Sequence, residues 1–402
     1  MAKVWLITGS SRGLGRELAG AVLSAGHQLV ATARRLPPLA GLAAQYPGQV
    51  LPVALDVADP AAAESAVRAA VEHFGRLDVV VNNAGYADVA SIEDVTLDDF
   101  RAQIDTNFYG VVNVTKAAVP VLRAQGSGHI IQISSVGGRI ASVGLAAYQS
   151  AKWAVEGFSS VLAQEVAPFG IKVTIIEPGG LRTDWAGSSM TIPPVSDPYQ
   201  PTVGARVRMM EEHSGQQAGD PAKAARVIMQ IAEIDDPPLR LLLGSDAVRY
   251  AGAADQARIE SDAKWRALSE STDHDDATMA QKDPLAALRR GPLRSARTTP
   301  PRRPRRCPAH DGWYSLLPSP APRGSAVGTY PASHRPGTRP GPLARGRHGG
   351  GRHSAVCGDG LTAPGGGGDG AGIRPSPAQR LRGHRPAGAR RPDRTRDAPG
   401  VR

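Results

Sequence analysis

Short β-rich runs alternate with longer amphipathic patterns from Val4 to Leu243, and this alternation constrains the fold more than any other feature of the sequence. The first pair consists of the run Val4–Thr8 and a stretch with apolar residues at positions 14, 18, 21, 22 and 25, which Gly26 ends. Strands that are connected by helical crossovers pair in parallel and leave helices on both faces of the sheet. The sequence therefore predicts an α/β fold with one doubly wound parallel sheet, whose ligands bind beyond the carboxyl ends of the strands.

A glycine-rich loop lies between the first predicted strand and the first predicted helix, and it spans Thr8–Gly15. Glycines permit a tight turn and a close approach to a pyrophosphate, while the helix N-terminus supplies free N–H groups and a positive dipole. A plain glycine turn is the alternative, but the position after a strand and before a periodic helix favours a Rossmann-type dinucleotide site. The candidate cofactor contacts in this loop are Gly9, Ser11, Arg12, Gly13, Leu14 and Gly15.

Two arginines near this loop indicate which nicotinamide cofactor the site takes. A free ribose 2′-hydroxyl is usually met by an acidic residue about 20 residues past the glycines, at the end of the second strand. This chain has Ala33 and Arg34 there, and Arg12 lies within the glycine loop. Two guanidinium groups suit a 2′-phosphate through charge-assisted hydrogen bonds. We therefore expect NADP(H) rather than NAD(H), with solvated surface arginines as the alternative.

Tyr148 and Lys152 are the candidate catalytic pair, and they stand one turn apart on a predicted helix. A neighbouring ammonium group favours the phenolate, so we expect the pKa of Tyr148 to fall from about 10 towards working pH. The preceding predicted strand, Ile130–Ser135, ends in hydroxyl side chains that can hold a carbonyl oxygen beside the phenol. An amphipathic helix with a surface lysine and a packed tyrosine is the alternative.

Further short motifs follow the later predicted strands. Asp56-Val57 comes after the third strand, Asn82-Asn83-Ala84-Gly85 after the fourth, and Pro178-Gly179 with Thr183 after the run Ile171–Ile176. Together with the glycine loop and with Asn107, Ser135, Tyr148 and Lys152, these motifs resemble those of the short-chain dehydrogenase/reductase family, over roughly residues 3–270. Ser135 rather than Ser134 matches the spacing of the family's serine and tyrosine.

The resemblance implies a role for each matched residue. Tyr148 would be the general acid in reduction and the base in oxidation, Lys152 would bond the nicotinamide ribose, and Ser135 would bond the substrate oxygen. Asn107 would anchor a water that relays protons from Lys152. The alternative is that Asn107 only caps a kink within its helix. Beyond the glycine loop and Arg34, the implied cofactor contacts are Asp56 at the adenine amine, Asn82 at the ribose edge, Val57, Ala84, Gly85, Tyr148 and Lys152, and Pro178, Gly179 and Thr183 around the nicotinamide amide.

The segment from Leu181 to Gly219 is the candidate substrate lid, because a long irregular stretch beside a site usually acts as a lid or binding loop. Its apolar and aromatic residues predict a hydrophobic carbonyl compound or secondary alcohol as the substrate; they are Trp185, Met190, Ile192, Tyr199, Met209 and Met210. Packing against the protein's own core or against a neighbouring subunit is the alternative. The family resemblance also implies a homodimer or homotetramer, formed through the helices that hold Asn107 and Tyr148.

The last part of the chain differs in composition from the rest. From Pro284 onward it contains 23 Arg and 5 Asp but neither Lys nor Glu, which gives a formal charge of +18, and it is rich in Gly and Pro. Such a segment lacks the periodic apolar residues that form a core. We therefore expect one dehydrogenase domain over 1–278 and a disordered, basic, low-complexity tail over 279–402, which the lack of Lys and Glu marks as a frameshift or read-through product. A nucleic-acid-binding arm is the alternative, but the tail has no Arg-Gly-Gly repeat, so we expect no nucleic-acid partner.

The placement of cysteines and histidines excludes other chemistry. Both cysteines, Cys307 and Cys357, lie in the tail, so we expect no disulfide framework in the domain. His73 and His129 lie apart without partner ligands, and four adjacent residues, 273–276, cannot easily converge on one ion. We therefore expect no metal site.

The start of the chain and its hydropathy bear on location. Met1–Lys3 leads directly into a strand-like run, and no long apolar run occurs, so we expect a cytoplasmic protein without a membrane partner. The function expected is that of an NADP(H)-dependent oxidoreductase acting on a small carbonyl compound or alcohol. The alternative is a nucleotide-sensing binding protein with a nucleic-acid-binding tail. Such a sensor would not need all four of Asn107, Ser135, Tyr148 and Lys152, so their presence favours the enzyme.

Overall fold

The computed structural model describes residues 2–183 and 190–286, and its strands form one seven-stranded parallel sheet. The strands are β1 Val4–Ile7, β2 Gln28–Ala33, β3 Val50–Ala54, β4 Val79–Asn82, β5 Gly128–Ile133, β6 Ile171–Pro178 and β7 Arg240–Leu243. Their order across the sheet is β3-β2-β1-β4-β5-β6-β7. The chain thus leaves β1 first towards one edge and then towards the other, which confirms the predicted α/β, doubly wound, Rossmann-type architecture.

The helices alternate with these strands. They are α1 Gly13–Ser24, α2 Ala40–Gln45, α3 Pro60–Phe74, α4 Leu97–Ile104, α5 Gly110–Gln125, α6 Ala146–Val166, α7 Ala205–Glu212, α8 Pro221–Glu233, α9 Ser245–Glu270 and α10 Met279–Lys282. The sequence patterns do not predict α2, which is a short helix anchored by the buried side chains of Leu39 and Leu42.

Two apolar layers, one on each face of the sheet, form the core. Successive side chains of a strand point to opposite faces, and β1 shows this clearly. Trp5 and Ile7 pack in the layer with α1 and α8, whereas Val4 and Leu6 pack in the layer with α3, α5 and α6. All four side chains are fully buried, so β1 is an interior strand of the sheet and fixes the position of the loop that follows it.

Side-chain caps fix where two of the crossover helices begin. The Asp59 carboxylate accepts two backbone N–H groups of the first turn of α3, and Pro60 occupies its first position. At α4, Thr96 Oγ1 accepts the N–H of Asp99 at 3.0 Å. The Asp99 carboxylate accepts from the Thr96 hydroxyl at 2.6 Å rather than from the Thr96 backbone, so this cap differs from a capping box.

Regular structure continues past the predicted domain boundary at residue 278. Thr278 and Gln281 form a capping box at the start of α10, and Lys282 pairs with Asp273 at 3.2 Å. From residue 287 onward the predicted tail lies outside the described residues. None of the helices within residues 2–183 and 190–286 has the length and apolar character that a membrane crossing requires.

Candidate active site

A cavity of about 1350 Å³ opens at the carboxyl ends of the strands, where a doubly wound sheet places its ligands. Its wall is formed by segments that follow each of the strands β1 to β6. The predicted site residues on this wall are Gly9, Ser11, Arg12, Gly13, Leu14, Gly15, Arg34, Asp56, Val57, Ala84, Gly85, Asn107, Ser135, Tyr148, Lys152, Pro178, Gly179 and Thr183. Residues from the whole length of the domain are therefore brought to one place.

Hydrogen bonds between the segments after β1 and β4 shape the glycine loop. Thr8 Oγ1 accepts the N–H groups of Asn83 and Ala84, each at 2.9 Å. The Asn83 amide donates in turn to the carbonyl oxygens of Thr8 at 2.9 Å and Gly9 at 3.3 Å. A Cβ at Gly15 would collide with the Gly9 carbonyl oxygen and with Asn83 Nδ2, so only glycine fits there. Asn83 is thus a structural part of the site, which the sequence motif contains but which sequence reasoning does not single out.

Asn82 lies apart from the cavity wall. Its side chain is buried and donates to Thr115 Oγ1 at 3.1 Å and to Gln132 Oε1 at 2.8 Å. The side chain therefore joins β4 to β5 and α5 and does not face a ribose in the cavity, in contrast to the expectation from the family resemblance.

The two arginines predicted to select the cofactor both line the same cavity. Arg12 in the glycine loop and Arg34 at the end of β2 have exposed side chains. In residues 2–183 and 190–286, no carboxylate lies within ion-pair distance of either guanidinium. Their charges are therefore available to an anionic group at this end of the cavity.

Tyr148, Ser135 and Lys152 form the centre of the site. Tyr148 is buried on α6, and its hydroxyl is hydrogen-bonded to the Ser135 side chain. Ser135 Oγ also accepts the N–H of Gly137 at 3.0 Å, which fixes its orientation. Lys152 Nζ lies 5.6 Å from the centre of the Tyr148 ring and donates to the Ile133 carbonyl oxygen at 2.8 Å. Two hydroxyl groups and one ammonium group are thus held together at the end of β5.

The pKa values of this pair differ from the sequence-based expectation. Burial raises the pKa of Tyr148 to about 12, and the Ser135 hydrogen bond opposes that rise. Burial also lowers the pKa of Lys152 to about 8, while the Glu156 carboxylate raises it. The expected depression of the Tyr148 pKa by a nearby ammonium is therefore wrong for this structure, in which burial of the phenol is the largest cause of the shift. The Tyr148 hydroxyl stays protonated at neutral pH.

Asn107 occupies a π-helical turn, Asp105–Tyr109, between α4 and α5. Its side-chain amide donates to the carbonyl oxygens of Tyr86 and Gln103, both at 2.8 Å, and its Oδ1 accepts the N–H of Tyr86 at 3.1 Å. The side chain therefore satisfies the Gln103 carbonyl oxygen next to the π turn and joins the turn to the segment after β4. These contacts fit the alternative of an asparagine at a helix distortion, while Asn107 also lines the cavity, and its water-anchoring role stays a prediction.

The segment after β6 is fixed by a residue from a distant helix. The Asp246 carboxylate at the start of α9 accepts the N–H of Gly180 at 2.8 Å, and Asp246 also lines the cavity. It therefore holds the Pro178–Gly180 turn that the family resemblance assigns to the nicotinamide. No local motif marks Asp246 in the sequence, since its partner lies 66 residues earlier.

The candidate lid packs partly against the catalytic residues. Its side chains cluster with Leu145 and Tyr148; they are Met190, Ile192, Val195, Tyr199, Val203, Val207 and Met210. Met209, at 41% exposure, lines the cavity. Trp185 lies outside the described residues. Packing against the protein's own core thus accounts for part of this segment, and the rest gives the cavity an apolar wall.

Comparisons with known proteins agree with this geometry. The profile of the short chain dehydrogenase family matches residues 3–191. The oxidoreductase BOA17 of Botryotinia fuckeliana is 56% identical over 270 residues, which cover 67% of this chain and 98% of that protein. The crystal structure of a short-chain dehydrogenase from Streptomyces avermitilis is similar with a TM-score of 0.64 and 38% identity, and the match covers 68% of this chain and 100% of that chain. An alcohol dehydrogenase from Thermococcus sibiricus, complexed with 5-hydroxy-NADP, is similar with a TM-score of 0.51 and 25% identity over 60% of this chain and 96% of that one.

Proposed function

The chain belongs to the short-chain dehydrogenase family of oxidoreductases, and on that premise we propose that it uses NADP(H) to interconvert a carbonyl group and a secondary alcohol on a hydrophobic small molecule. One observation carries the proposal. The hydrogen-bonded Ser135–Tyr148 pair, with Lys152 beneath the tyrosine ring, lies in the same cavity as the glycine loop and the two arginines, Arg12 and Arg34.

The cavity wall fits a dinucleotide phosphate. The close approach of the glycine loop to Asn83 at Gly15 leaves backbone N–H groups at the N-terminus of α1 open to a pyrophosphate. Arg12 and Arg34 would hold a 2′-phosphate, since neither has an acidic partner in the described part of the chain.

The protein's own groups would manage the proton. A bound nicotinamide supplies the hydride. Tyr148 then gives its hydroxyl proton to the carbonyl oxygen, and Ser135 donates a hydrogen bond to that oxygen as negative charge develops on it. Lys152, buried below the ring, stabilises the phenolate that remains. Because the pKa of Tyr148 is raised to about 12, the tyrosine is in the donating state at neutral pH, which favours reduction of a carbonyl.

Other residues would act by position. Asp56, Val57, Ala84, Gly85, Pro178, Gly179 and Thr183 line the wall where the adenosine and the nicotinamide would lie. The Asn107 side chain shapes the cavity through its hydrogen bond to the Tyr86 carbonyl oxygen. Asn82 holds the end of β4 to β5 through its hydrogen bond to Gln132.

Two surfaces support assembly into a homo-oligomer. The helical segments that carry Asn107 and Tyr148 expose large side chains: Tyr109 at 51%, Trp153 at 47% and Val161 at 54%. Exposed apolar residues on neighbouring helices are suited to a self-association interface, and we propose that a dimer or tetramer forms there.

Cofactor binding tests the proposal. We expect NADPH to bind more tightly than NADH by roughly tenfold or more, since each charge-assisted hydrogen bond contributes about 1.5–3 kcal/mol. Arg34→Asp should reverse the preference through repulsion of the 2′-phosphate. Arg35→Asp is the matched control, because Arg35 is exposed but does not line the cavity. Equal dissociation constants for NADPH and NADH in the unmodified protein would contradict the NADP(H) assignment.

A further inference from the structure

Arg206, in the wall of the cavity, has a buried Nε without a hydrogen-bond partner among the described residues. Arg206 lies on α7, lines the cavity that holds Tyr148, and is half-buried. Its Nε is shielded from solvent and makes no hydrogen bond. Throughout residues 2–183 and 190–286, no carboxylate lies within ion-pair distance of its guanidinium. Buried donors are almost always satisfied in folded proteins, so an acceptor from a bound molecule is the natural partner of Arg206.

Helix α7 places this guanidinium in the wall of the cavity that also holds the reacting groups. Val203, Val207 and Met210, which flank Arg206 on the same segment, pack in one apolar cluster with Leu145 and Tyr148. A small molecule whose oxygen contacts Tyr148 therefore lies along an apolar wall that ends in a positive charge.

Four acidic residues line the described part of the cavity wall. Asp105 lies in the π turn before α5 and forms no ion pair with Arg206, and the other three are engaged with backbone groups. Asp56, Asp88 and Asp246 each accept a backbone N–H group, at 3.1, 2.8 and 2.8 Å respectively. Their carboxylates shape the loops around the cavity, and none pairs with Arg206. The charge of Arg206 is thus not neutralised by these neighbours.

We infer that Arg206 binds a carboxylate of the substrate. The substrate is then an amphipathic oxo acid or hydroxy acid, with its reacting oxygen at Tyr148, its apolar body along Leu145 and Met210, and its carboxylate at Arg206. The nature of the reacting group rests on the proposed function, whereas the anion subsite does not. One guanidinium offers two parallel N–H donors and balances a single negative charge, which suits a carboxylate better than a phosphate dianion.

Binding of simple probes to the full-length protein saturated with NADP⁺ tests the subsite without any turnover. Octanoate and octanol have the same apolar body, and isothermal titration gives their dissociation constants. We expect octanoate to bind more tightly than octanol, and Arg206→Met to weaken octanoate binding by roughly 10- to 100-fold while leaving octanol binding unchanged. Methionine keeps the length of the apolar stem, and an unchanged NADP⁺ affinity would show that the variant is folded.

Arg208→Met is the matched control. Arg208 lies on the same helix, but it is exposed, contacts Gln200 and does not line the cavity. It should bind octanoate as the unmodified protein does. Octanoate binding no tighter than octanol binding, or an equal loss in the Arg206 and Arg208 variants, would overturn the subsite.

Turnover distinguishes failure of the subsite from failure of the proposed activity. With NADPH and paired substrates, oxo acids and their methyl esters, Arg206→Met should lower kcat/KM for the acids only. If NADPH reduces the esters but Arg206→Met leaves the acid-to-ester ratio unchanged, the activity stands and the subsite is wrong. If no carbonyl compound is reduced while octanoate binding still depends on Arg206, the subsite stands and the activity is wrong.

Discussion

Replacement of Gly15 by alanine is the sharpest test of how the glycine loop is built. A methyl group at this position collides with the Gly9 carbonyl oxygen and with Asn83 Nδ2. The Asn83 amide holds the loop through bonds of 2.9 and 3.3 Å to the carbonyl oxygens of Thr8 and Gly9. The added methyl group must therefore displace the amide, the loop or both.

The expected cost follows from these contacts. Loss of two hydrogen bonds costs about 1–3 kcal/mol at about 0.5–1.5 kcal/mol each, and overpacking in a tight site costs a similar 1–3 kcal/mol. Gly20 is the matched control on the same helix, because a Cβ there meets nothing within 4 Å. Alanine in a helix interior is more favourable than glycine by about 0.5–1 kcal/mol, so Gly20→Ala should stabilise the domain.

Urea unfolding and NADPH titration measure both effects. Gly15→Ala should lower the free energy of unfolding and weaken NADPH binding by roughly tenfold or more, since about 1.4 kcal/mol corresponds to tenfold in affinity. Gly20→Ala should raise the unfolding midpoint and leave NADPH affinity unchanged. A Gly15→Ala protein with the stability and NADPH affinity of the unmodified chain would refute the account of the loop.

Buried ionisable groups and the composition of the chain give three more predictions. Burial lowers the pKa of His129 to about 4. In the unfolded chain His129 takes up a proton near its ordinary pKa of 6.5, whereas in the folded protein it does not, so the free energy of unfolding should fall as the pH falls from about 6.5 to about 4. Urea unfolding measures this fall, and His129→Leu should flatten it. Burial lowers the pKa of Lys152 to about 8, although the Glu156 carboxylate opposes part of that shift. Because Lys152 loses its positive charge above this pKa, kcat/KM for reduction should decline as the pH rises through about 8, and Glu156→Gln should move the decline to lower pH. A protein shortened after Ala286 should keep its NADPH affinity and unfold within a few degrees of the full chain, whereas loss of NADPH binding would assign the removed residues to the domain.

The doubly wound parallel sheet and the position of the cofactor loop could be predicted from the sequence because both depend on local patterns. Strand β1 carries apolar residues on both faces, which identifies it as a buried strand. The glycine loop follows it directly, so the N–H groups of the loop lie at the carboxyl ends of the strands. Ser135, Tyr148 and Lys152 meet in one site because a single turn and one helix connect them.

Features that depend on distant contacts could not be predicted in the same way. Asp246 reaches Gly180 across 66 residues, and Asn83 reaches Gly9 across 74, so no window of sequence contains either contact. The Asn107 side chain, in a π turn, bonds to the backbone of Tyr86, 21 residues earlier, and only the folded chain brings the two together. The pKa of Tyr148 depends on complete burial, which spacing from Lys152 does not reveal.

The most direct test of the proposed chemistry is the turnover of Tyr148→Phe with NADPH and a carbonyl compound that the unmodified protein reduces, followed by loss of nicotinamide absorbance. Phenylalanine removes only the hydroxyl group that bonds Ser135, so the fold and the NADPH dissociation constant should be unchanged. Loss of a positioned general acid should lower kcat by about 100- to 10,000-fold. A Tyr148→Phe protein that binds NADPH normally and turns over at a near-normal rate would contradict the assignment of Tyr148 as the proton donor.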